Sequence, residues 1–184
     1  MPKTTRAGAA LIALVALACT EPAGPTASRS GAPPLNALAV GVQESVTGGG
    51  QFFHPDLGTV TLAFTATRHA DGSVSGRWQQ NQFDLGVAYK GDVTCFAVDP
   101  VNHRAWIGGV ITGSNDPDPL TAVGKDAWFR VLDLGEGPDP DRSTFLGFQG
   151  SAGIETSEEY CAVRLWAPEN ARTWPLEHGD IVIH

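Results

Sequence analysis

The sequence predicts an all-β domain, an antiparallel sandwich or barrel of about ten strands. Short runs that alternate apolar and polar residues recur through residues 37–184, and turn-forming Gly, Pro and Asp residues separate them. The chain has 22 glycines and only 17% charged residues, which also favours β-structure, and helical periodicity is scarce. We therefore expect one β-domain over residues 37–184.

The clearest predicted strand covers residues 59–68. Its apolar and hydroxyl-bearing side chains alternate along the chain as Val60, Leu62, Phe64 and Ala66 against Thr59, Thr61, Thr65 and Thr67. The dipeptide Asp71-Gly72 is a strong hairpin-turn signal, and residues 74–83 return as a second strand. These two strands form the most secure predicted hairpin.

The other predicted strands are shorter and are placed by alternation and by the turns between them. They cover residues 40–46, 85–89, 92–98, 104–112, 127–134, 143–148, 160–166 and 180–183. The triplet Gly48-Gly49-Gly50 is read as a turn. Residues 168–176 could hold a helical turn, which Pro175 would limit.

The amino terminus predicts export. Lys3 and Arg6 precede an apolar run at residues 7–18, which is too short for a spanning helix and ends at Cys19. This pattern resembles the lipobox of bacterial lipoproteins, which implies that residues 1–18 are a signal peptide and that Cys19 is acylated. Ordinary secretion with cleavage nearby and an uncleaved anchor are the alternatives.

Residues 19–36 are rich in Pro, Ala, Ser and Gly and predict a disordered tether. Thr20, rather than Asp, follows the lipobox cysteine, which by resemblance to sorting in Gram-negative bacteria favours the outer membrane. We therefore expect a lipid-anchored envelope protein that faces the periplasm or the cell surface.

The charge of the chain argues against nucleic acid as a partner. The signal contains Lys3 and Arg6 but no acidic residue, so its removal leaves 10 of the 12 basic residues against 20 acidic ones, a formal charge of −10. Binding to a polyanion would require a cationic face.

Cysteine use predicts one disulfide. If Cys19 is acylated, Cys95 and Cys161 remain, an even number in an oxidising compartment. In the predicted strand 160–166, Cys161, Val163 and Leu165 share an inward face, and Cys95 lies in a segment that is apolar on both faces. A catalytic thiol is the alternative, although neither cysteine has a family signature around it.

Sequence patterns predict no cofactor, metal site or catalytic residue. The five histidines lack the spacing of metal ligands, and there is neither a nucleophile elbow nor a phosphate loop. Two acidic turns, residues 115–118 and 136–141, offer oxygen ligands of the kind Ca²⁺ prefers but lack a full ligand series. We expect solvated turns there.

The best candidate binding surface lies in the strand at residues 74–83, where an Arg-Trp pair precedes four amide side chains. Alternation places its members on two faces, Trp78, Gln80 and Gln82 on one and Arg77, Gln79 and Asn81 on the other. Either face could contact a glycan or an envelope protein. Packing of Trp78 in the core is the competing interpretation.

Three segments resemble a family of uncharacterised bacterial secreted β-domains. These segments are Gly48-Gly49-Gly50-Gln51-Phe52, the strand from Ala105 to Gly113 (A-x-I-x-G-x-I-T-G), and the turn from Val131 to Glu136 (V-x-D-N-G-E). Leu134 stands where the family has Asn. The resemblance implies a β-fold and an envelope or surface location, and it implies no active site.

Two classes of function remain. The first is a non-enzymatic envelope lipoprotein whose β-module binds a ligand or partner. The alternative is a small exported enzyme that acts on a glycan through paired carboxylates such as Asp84, Asp92 or Asp133, which would require a cleft with two carboxylates about 5 to 9.5 Å apart.

Overall fold

Ten strands form one strongly curled antiparallel sheet, which confirms the predicted all-β class. The order across the sheet is β10-β1-β2-β3-β4-β5-β6-β7-β9, and β8 pairs with β6. The strands are β1 (Val42–His54), β2 (Gly58–His69), β3 (Val74–Gln82), β4 (Val87–Asp99), β5 (Arg104–Ser114), β6 (Asp126–Leu132), β7 (Arg142–Ser143), β8 (Gly147–Phe148), β9 (Trp174–Pro175) and β10 (His178–Ile183).

This computed structural model describes residues 42–184, which belong to one compact unit, Leu38–His184. The predictions for the signal at 1–18, the tether at 19–36 and the acylation of Cys19 lie outside the described residues. Within residues 42–184, none of the helices has the length and apolar character needed to cross a membrane.

The predicted hairpin is confirmed, and so is the burial of its apolar face. β2 and β3 pair around Asp71-Gly72, where the N–H of Gly72 donates to the carbonyl of His69 at 2.9 Å. The four apolar side chains predicted to share a face are buried, and the threonines between them lie on the other face.

The prediction of a strand at residues 160–166 is wrong, because α1 (Ser157–Val163) occupies most of that segment. The side-chain hydroxyl of Thr156 caps the helix by accepting from the N–H of Glu159 at 3.1 Å. Ser157, Tyr160 and Cys161 are buried at helical spacing, whereas Val163 and Leu165, expected inside, are 50% and 39% exposed.

The prediction of a turn at Gly48-Gly49-Gly50 is also wrong, because these glycines continue through the middle of β1. They pair with Phe64, Ala63 and Leu62 of β2 on one side and with β10 on the other. At Gly50 a Cβ atom would collide with the carbonyl oxygen of His178. The glycines therefore permit close approach of neighbouring strands rather than a reversal of the chain.

Three further boundaries differ from the prediction. Residues 87–89 and the whole segment 92–98 belong to the single strand β4, whereas Leu85 ends a 3₁₀ turn and Gly86 follows it. Residues 143–148 contribute to two short strands, β7 and β8. The short strand β9 was not predicted. The expected helical turn is present as a 3₁₀ turn at Pro168–Asn170, and other 3₁₀ turns lie at Phe83–Leu85, Pro119–Thr121 and Ser151–Gly153.

The sheet encloses the main core on its inner side. Large side chains from most strands meet there, including Phe52, Phe64, Trp78, Phe96, Ile107, Phe129 and Ile181. On the outer side of β4, β5 and β6 a second layer forms under α1 from Cys95, Ala97, Trp106, Trp128, Ile154, Tyr160 and Cys161. The central strands read as continuous apolar runs because they are covered on both faces.

Two carboxylates hold the free edge of β10. Asp141 accepts from the N–H of Ile181 at 2.7 Å, and Asp133 accepts from the N–H of Ile183 at 3.0 Å. Both N–H groups point away from β1, since Ser45 and His184 form a hydrogen-bonded pair with each other. Side-chain carboxylates thus take the place of a neighbouring strand where the curled sheet meets itself.

Candidate functional site

The inward face of β3 is structural, which corrects one of the two candidate binding faces. Trp78, Gln80 and Gln82 are 3%, 2% and 5% exposed. The side-chain oxygen of Gln80 accepts from the N–H of Leu146 at 3.1 Å, and the Trp78 ring lies against Gly91. These side chains cannot contact an external partner, because the curvature of the sheet turns them into the core.

The opposite face of β3 is accessible. Arg77 and Gln79 are exposed and Asn81 is half-buried. Arg77 Nε lies 3.7 Å from Asp92 Oδ1, and Asn81 Nδ2 donates to Thr61 Oγ1 at 3.3 Å. Of the six predicted contact residues, the structure therefore brings these three together on the outer surface.

A depression of about 620 Å³ lies over this face. We call it the outer trough and define it by Ala63 and Thr65 of β2, Arg77 and Gln79 of β3, Lys90 and Asp92 of β4, and Thr112 of β5. The paired row Gly48, Phe64, Trp78 and Gly91 completes the lining, and polar residues of the neighbouring rows lie on both sides of it.

The outer trough continues into a second depression of about 290 Å³, which reaches Asn81 and Asn115. Gln79 and Lys90, which are cross-strand neighbours, line both depressions. Along β4 the four steps from Asp92 to Ala88 span about 13 Å at the usual strand rise. The two depressions together are long enough to hold an extended polymeric ligand.

The chemistry of the outer trough is polar and of mixed charge. Its walls carry the cations of Arg77 and Lys90, the carboxylate of Asp92, an amide and two hydroxyls. The Arg77–Asp92 pair is largely exposed, so it adds little to stability and leaves both groups available to a ligand.

The three carboxylates considered for catalysis do not face one another. Asp92 pairs with Val110 of β5, and Val110 pairs with Asp126 of β6, so Asp92 and Asp126 lie in one row across the sheet. Asp133 comes seven residues after Asp126, which places it about 23 Å from that row at the usual strand rise. Asp84 follows β3 in the 3₁₀ turn at the far end of the β3–β4 pair. Their positions do not match a pair of carboxylates across one cleft.

The acidic turn at residues 115–118 uses its carboxylates within the fold. Asp116 accepts from the hydroxyl of Tyr89 at 2.5 Å and from the N–H of Asp118 at 3.0 Å. These hydrogen bonds, that from Tyr89 above all, lower the pKa of Asp116, while burial and Asp116 raise that of Tyr89. Among residues 42–184, no group of three or more His, Cys, Asp or Glu side chains is arranged to hold a metal ion.

The structure contains the predicted disulfide between Cys95 and Cys161, whose Cα atoms are 6.1 Å apart. It joins β4 to α1 on the outer side of the sheet. A register shift between Val93 and Cys95 in the β4–β5 pairing lets Phe96 and Val98 face the main core while Cys95 and Ala97 face the helix.

The helix that carries Cys161 was not predicted, although the sequence contains a local signal for it. Thr156 and Glu159 have the spacing of a capping box, which marks the start of a helix. Alternation of apolar residues over 161–165 concealed it.

No protein-family model, curated protein or solved structure matches this chain.

Proposed function

We propose that the chain is a non-enzymatic binding module of the bacterial cell envelope, anchored by an acylated Cys19, and that the outer trough binds a glycan chain. The observation that carries the proposal is the trough itself, a continuous polar depression on the part of the outer side of β2, β3 and β4 that α1 leaves uncovered. The export signal, which rests on sequence, supports the location.

The trough suits a polyhydroxylated ligand better than an apolar one. Arg77, Gln79 and Lys90 offer donors, Asp92 offers an acceptor, and the flanking threonines can do either. The indole of Trp78 points into the core, so the ligand would be held by hydrogen bonds rather than by stacking on a ring. Such binding gives orientation with modest affinity.

The enzymatic alternative has less support. Glycoside hydrolysis requires two carboxylates at a defined separation, and Asp92 is the one carboxylate among the residues that line the trough. Asp84 and Asp133 lie at other ends of the sheet. A binding role requires none of these pairings.

The test is co-sedimentation of the full-length protein with purified peptidoglycan and with isolated envelope polysaccharide. The double variant Gln79→Ala, Lys90→Ala removes the two side chains shared by both depressions, and we expect it to reduce binding about tenfold or more. Thr59→Ala, on the same face of β2 but outside the trough, should bind like the wild type.

Failure of the wild type to bind either polymer would overturn the glycan proposal. Equal binding by the wild type and the double variant would overturn the assignment of the trough. Because all these positions are at least partly exposed, the variants should keep the wild-type urea midpoint, which is the control for folding.

A further inference from the structure

A second cavity lies on the outer side of β6, away from the outer trough. Its volume is about 190 Å³. The residues that matter for its chemistry are Arg130 of β6, Arg172, Tyr160 of α1, Trp128, Phe145 and Leu165. We call it the arginine cavity. Its lining includes two guanidinium groups and no carboxylate.

The guanidinium of Arg130 has unused hydrogen-bonding capacity. It donates to the carbonyls of Leu165 and Ala171 over long distances of 3.4 Å each. Its Nε atom is buried and has no partner among the residues that the structure describes. Within residues 42–184, the arginines that form ion pairs are Arg68 and Arg77, so Arg130 has no carboxylate partner there.

Positive charge accumulates around this cavity although the protein as a whole is acidic. The guanidinium carbons of Arg104 and Arg130 lie 4.5 and 5.2 Å from the ring centroid of Trp166. These cation–π contacts fix two arginines near each other, and Arg172 lines the same cavity as Arg130. Like charges held together in this way repel, and a bound anion would relieve the repulsion.

Neutral donors and small residues complete the cavity. The rings of Trp128 and Tyr160 stack with centroids 5.5 Å apart, and the indole nitrogen of Trp128 lies so close to Gly147 that any Cβ there would collide with it. Burial raises the pKa of Tyr160 to about 12, against the lowering effect of Arg130. The hydroxyl is therefore protonated at neutral pH and can donate.

The backbone around the cavity is strained at two lining positions. Ala152 and Arg172 have φ values of 57° and 61°, in the left-handed region that is unfavourable for a residue with a Cβ. Such conformations cluster at binding sites, where the surrounding structure holds them.

We propose that the arginine cavity binds a small organic carboxylate, with its carboxylate held by Arg130 and Arg172 and its apolar part against Phe145 and Leu165. A guanidinium pairs with a carboxylate through parallel N–H···O bonds, which suits the unused donors of Arg130. Phe145 and Leu165 are 36% and 39% exposed, so they give the cavity an apolar wall that inorganic anions would not use. The volume limits the ligand to a single ring or a short chain.

The test uses benzoate as the probe, titrated into the full-length protein by isothermal titration calorimetry, with benzamide as its neutral isostere. We expect benzoate to bind and benzamide to bind at least about tenfold more weakly, because a charge-assisted bond is replaced by a neutral one. Arg130→Gln and Arg172→Asn should each weaken benzoate binding by about tenfold or more. Asn at position 172 tolerates the left-handed backbone.

Lys125→Gln is the matched control, since Lys125 is an exposed cation outside the cavity, and it should bind benzoate like the wild type. Absence of benzoate binding, equal binding of benzoate and benzamide, or unchanged binding in the Arg172 variant would overturn the proposal. Arginine-dependent binding of inorganic phosphate without binding of benzoate would overturn the carboxylate assignment. The Gln79→Ala, Lys90→Ala variant should retain benzoate binding, so this test is independent of the outer trough.

Discussion

At the scale of single residues, the disulfide and the carboxylate of Asp141 each connect parts of the chain that are distant in sequence. Cys95 and Cys161 are separated by 66 positions. Asp141 links the loop after β6 to β10, since its two oxygens accept from the N–H groups of Leu134 and Ile181 at 2.7 Å each. The disulfide and Asp141 therefore both stabilise long-range contacts of the sheet.

Replacement of both Cys95 and Cys161 by Ala should destabilise the protein. In the chain-entropy account, a cross-link over 66 positions contributes about 4 kcal/mol, which is an upper figure. The free energy of unfolding, measured by urea titration, should fall by up to that amount. Treatment of the wild type with reductant should lower its free energy of unfolding similarly. A wild type that has free thiols at both positions, or that is indifferent to reductant, would contradict this prediction.

Asp141→Asn should also destabilise the protein. The amide has one oxygen in place of two, so one of the N–H groups of Leu134 and Ile181 loses its acceptor in a buried place, at a cost of about 1–3 kcal/mol. Asp139→Asn, at an exposed position in the same loop, is the control and should leave the urea midpoint unchanged. Equal midpoints for the two variants would show that the carboxylate does not hold β10.

The cost of Asp141→Asn should depend on pH. Burial raises the pKa of Asp141, with the charges of Asp133 and Asp180 adding to the effect and the two backbone hydrogen bonds opposing it. The folded state therefore prefers the protonated acid. The stability that this preference contributes is fully present below the unfolded-state pKa and is lost as the pH rises through the folded-state pKa. The stability difference between wild type and variant should therefore be larger near pH 4 than at pH 7.

At the scale of elements, β1 and α1 each differ from the structure that the most obvious local sequence pattern indicates. Three consecutive glycines favour a turn in isolation, yet β2 and β10 flank them on both sides and pair with their backbone groups. Residues 161–165 alternate like a strand, yet the cap at Thr156 and burial of Ser157, Tyr160 and Cys161 on one side produce a helix.

Gly50→Ala should destabilise the protein more than Gly49→Ala. A Cβ at Gly50 would collide with the carbonyl oxygen of His178 on β10, whereas the nearest atom to a Cβ at Gly49 is 3.0 Å away. We expect a loss of about 1–3 kcal/mol at Gly50, with faster amide hydrogen exchange in β10. Similar urea midpoints for the two variants would contradict the role of Gly50 in the close approach of β1 and β10.

At the scale of the whole molecule, the outer face of the sheet is covered in one part and open in another. The layer under α1 covers the outer side of β4, β5 and β6, and the outer trough lies on the open part of the outer side of β2, β3 and β4. The proposed acyl anchor at Cys19 would hold the domain at a membrane through residues 19–36. Both proposed binding sites lie within residues 42–184 and do not depend on the anchor.

Cys19→Ser should release the protein from the membrane. If Cys19 is acylated, the acyl chains supply the membrane affinity, since one chain alone binds marginally and two or more hold stably. In detergent phase partition of the full-length protein expressed in a bacterium, the wild type should enter the detergent phase and the variant the aqueous phase. Identical partition of the two would rule out the acyl anchor.

The facing of the β2–β3 hairpin and the cysteine pairing could be inferred from sequence because their signals are local or countable. Alternation over residues 59–68 and the Asp71-Gly72 turn depend on near neighbours in the chain. The disulfide followed from there being two cysteines left after Cys19. For the candidate site, sequence separated the two faces of β3 but could not tell which face was buried.

The choice between those faces depended on the direction in which the sheet curls, and this is set by contacts between residues far apart in sequence. Gln80 is buried because Leu146 donates to it across the core, and no local pattern reports that bond. The same is true of Arg130 and Arg172, which line one cavity because the segment after α1 returns to β6. Long-range packing free energy decides such placements, and it is not visible in a window of neighbouring residues.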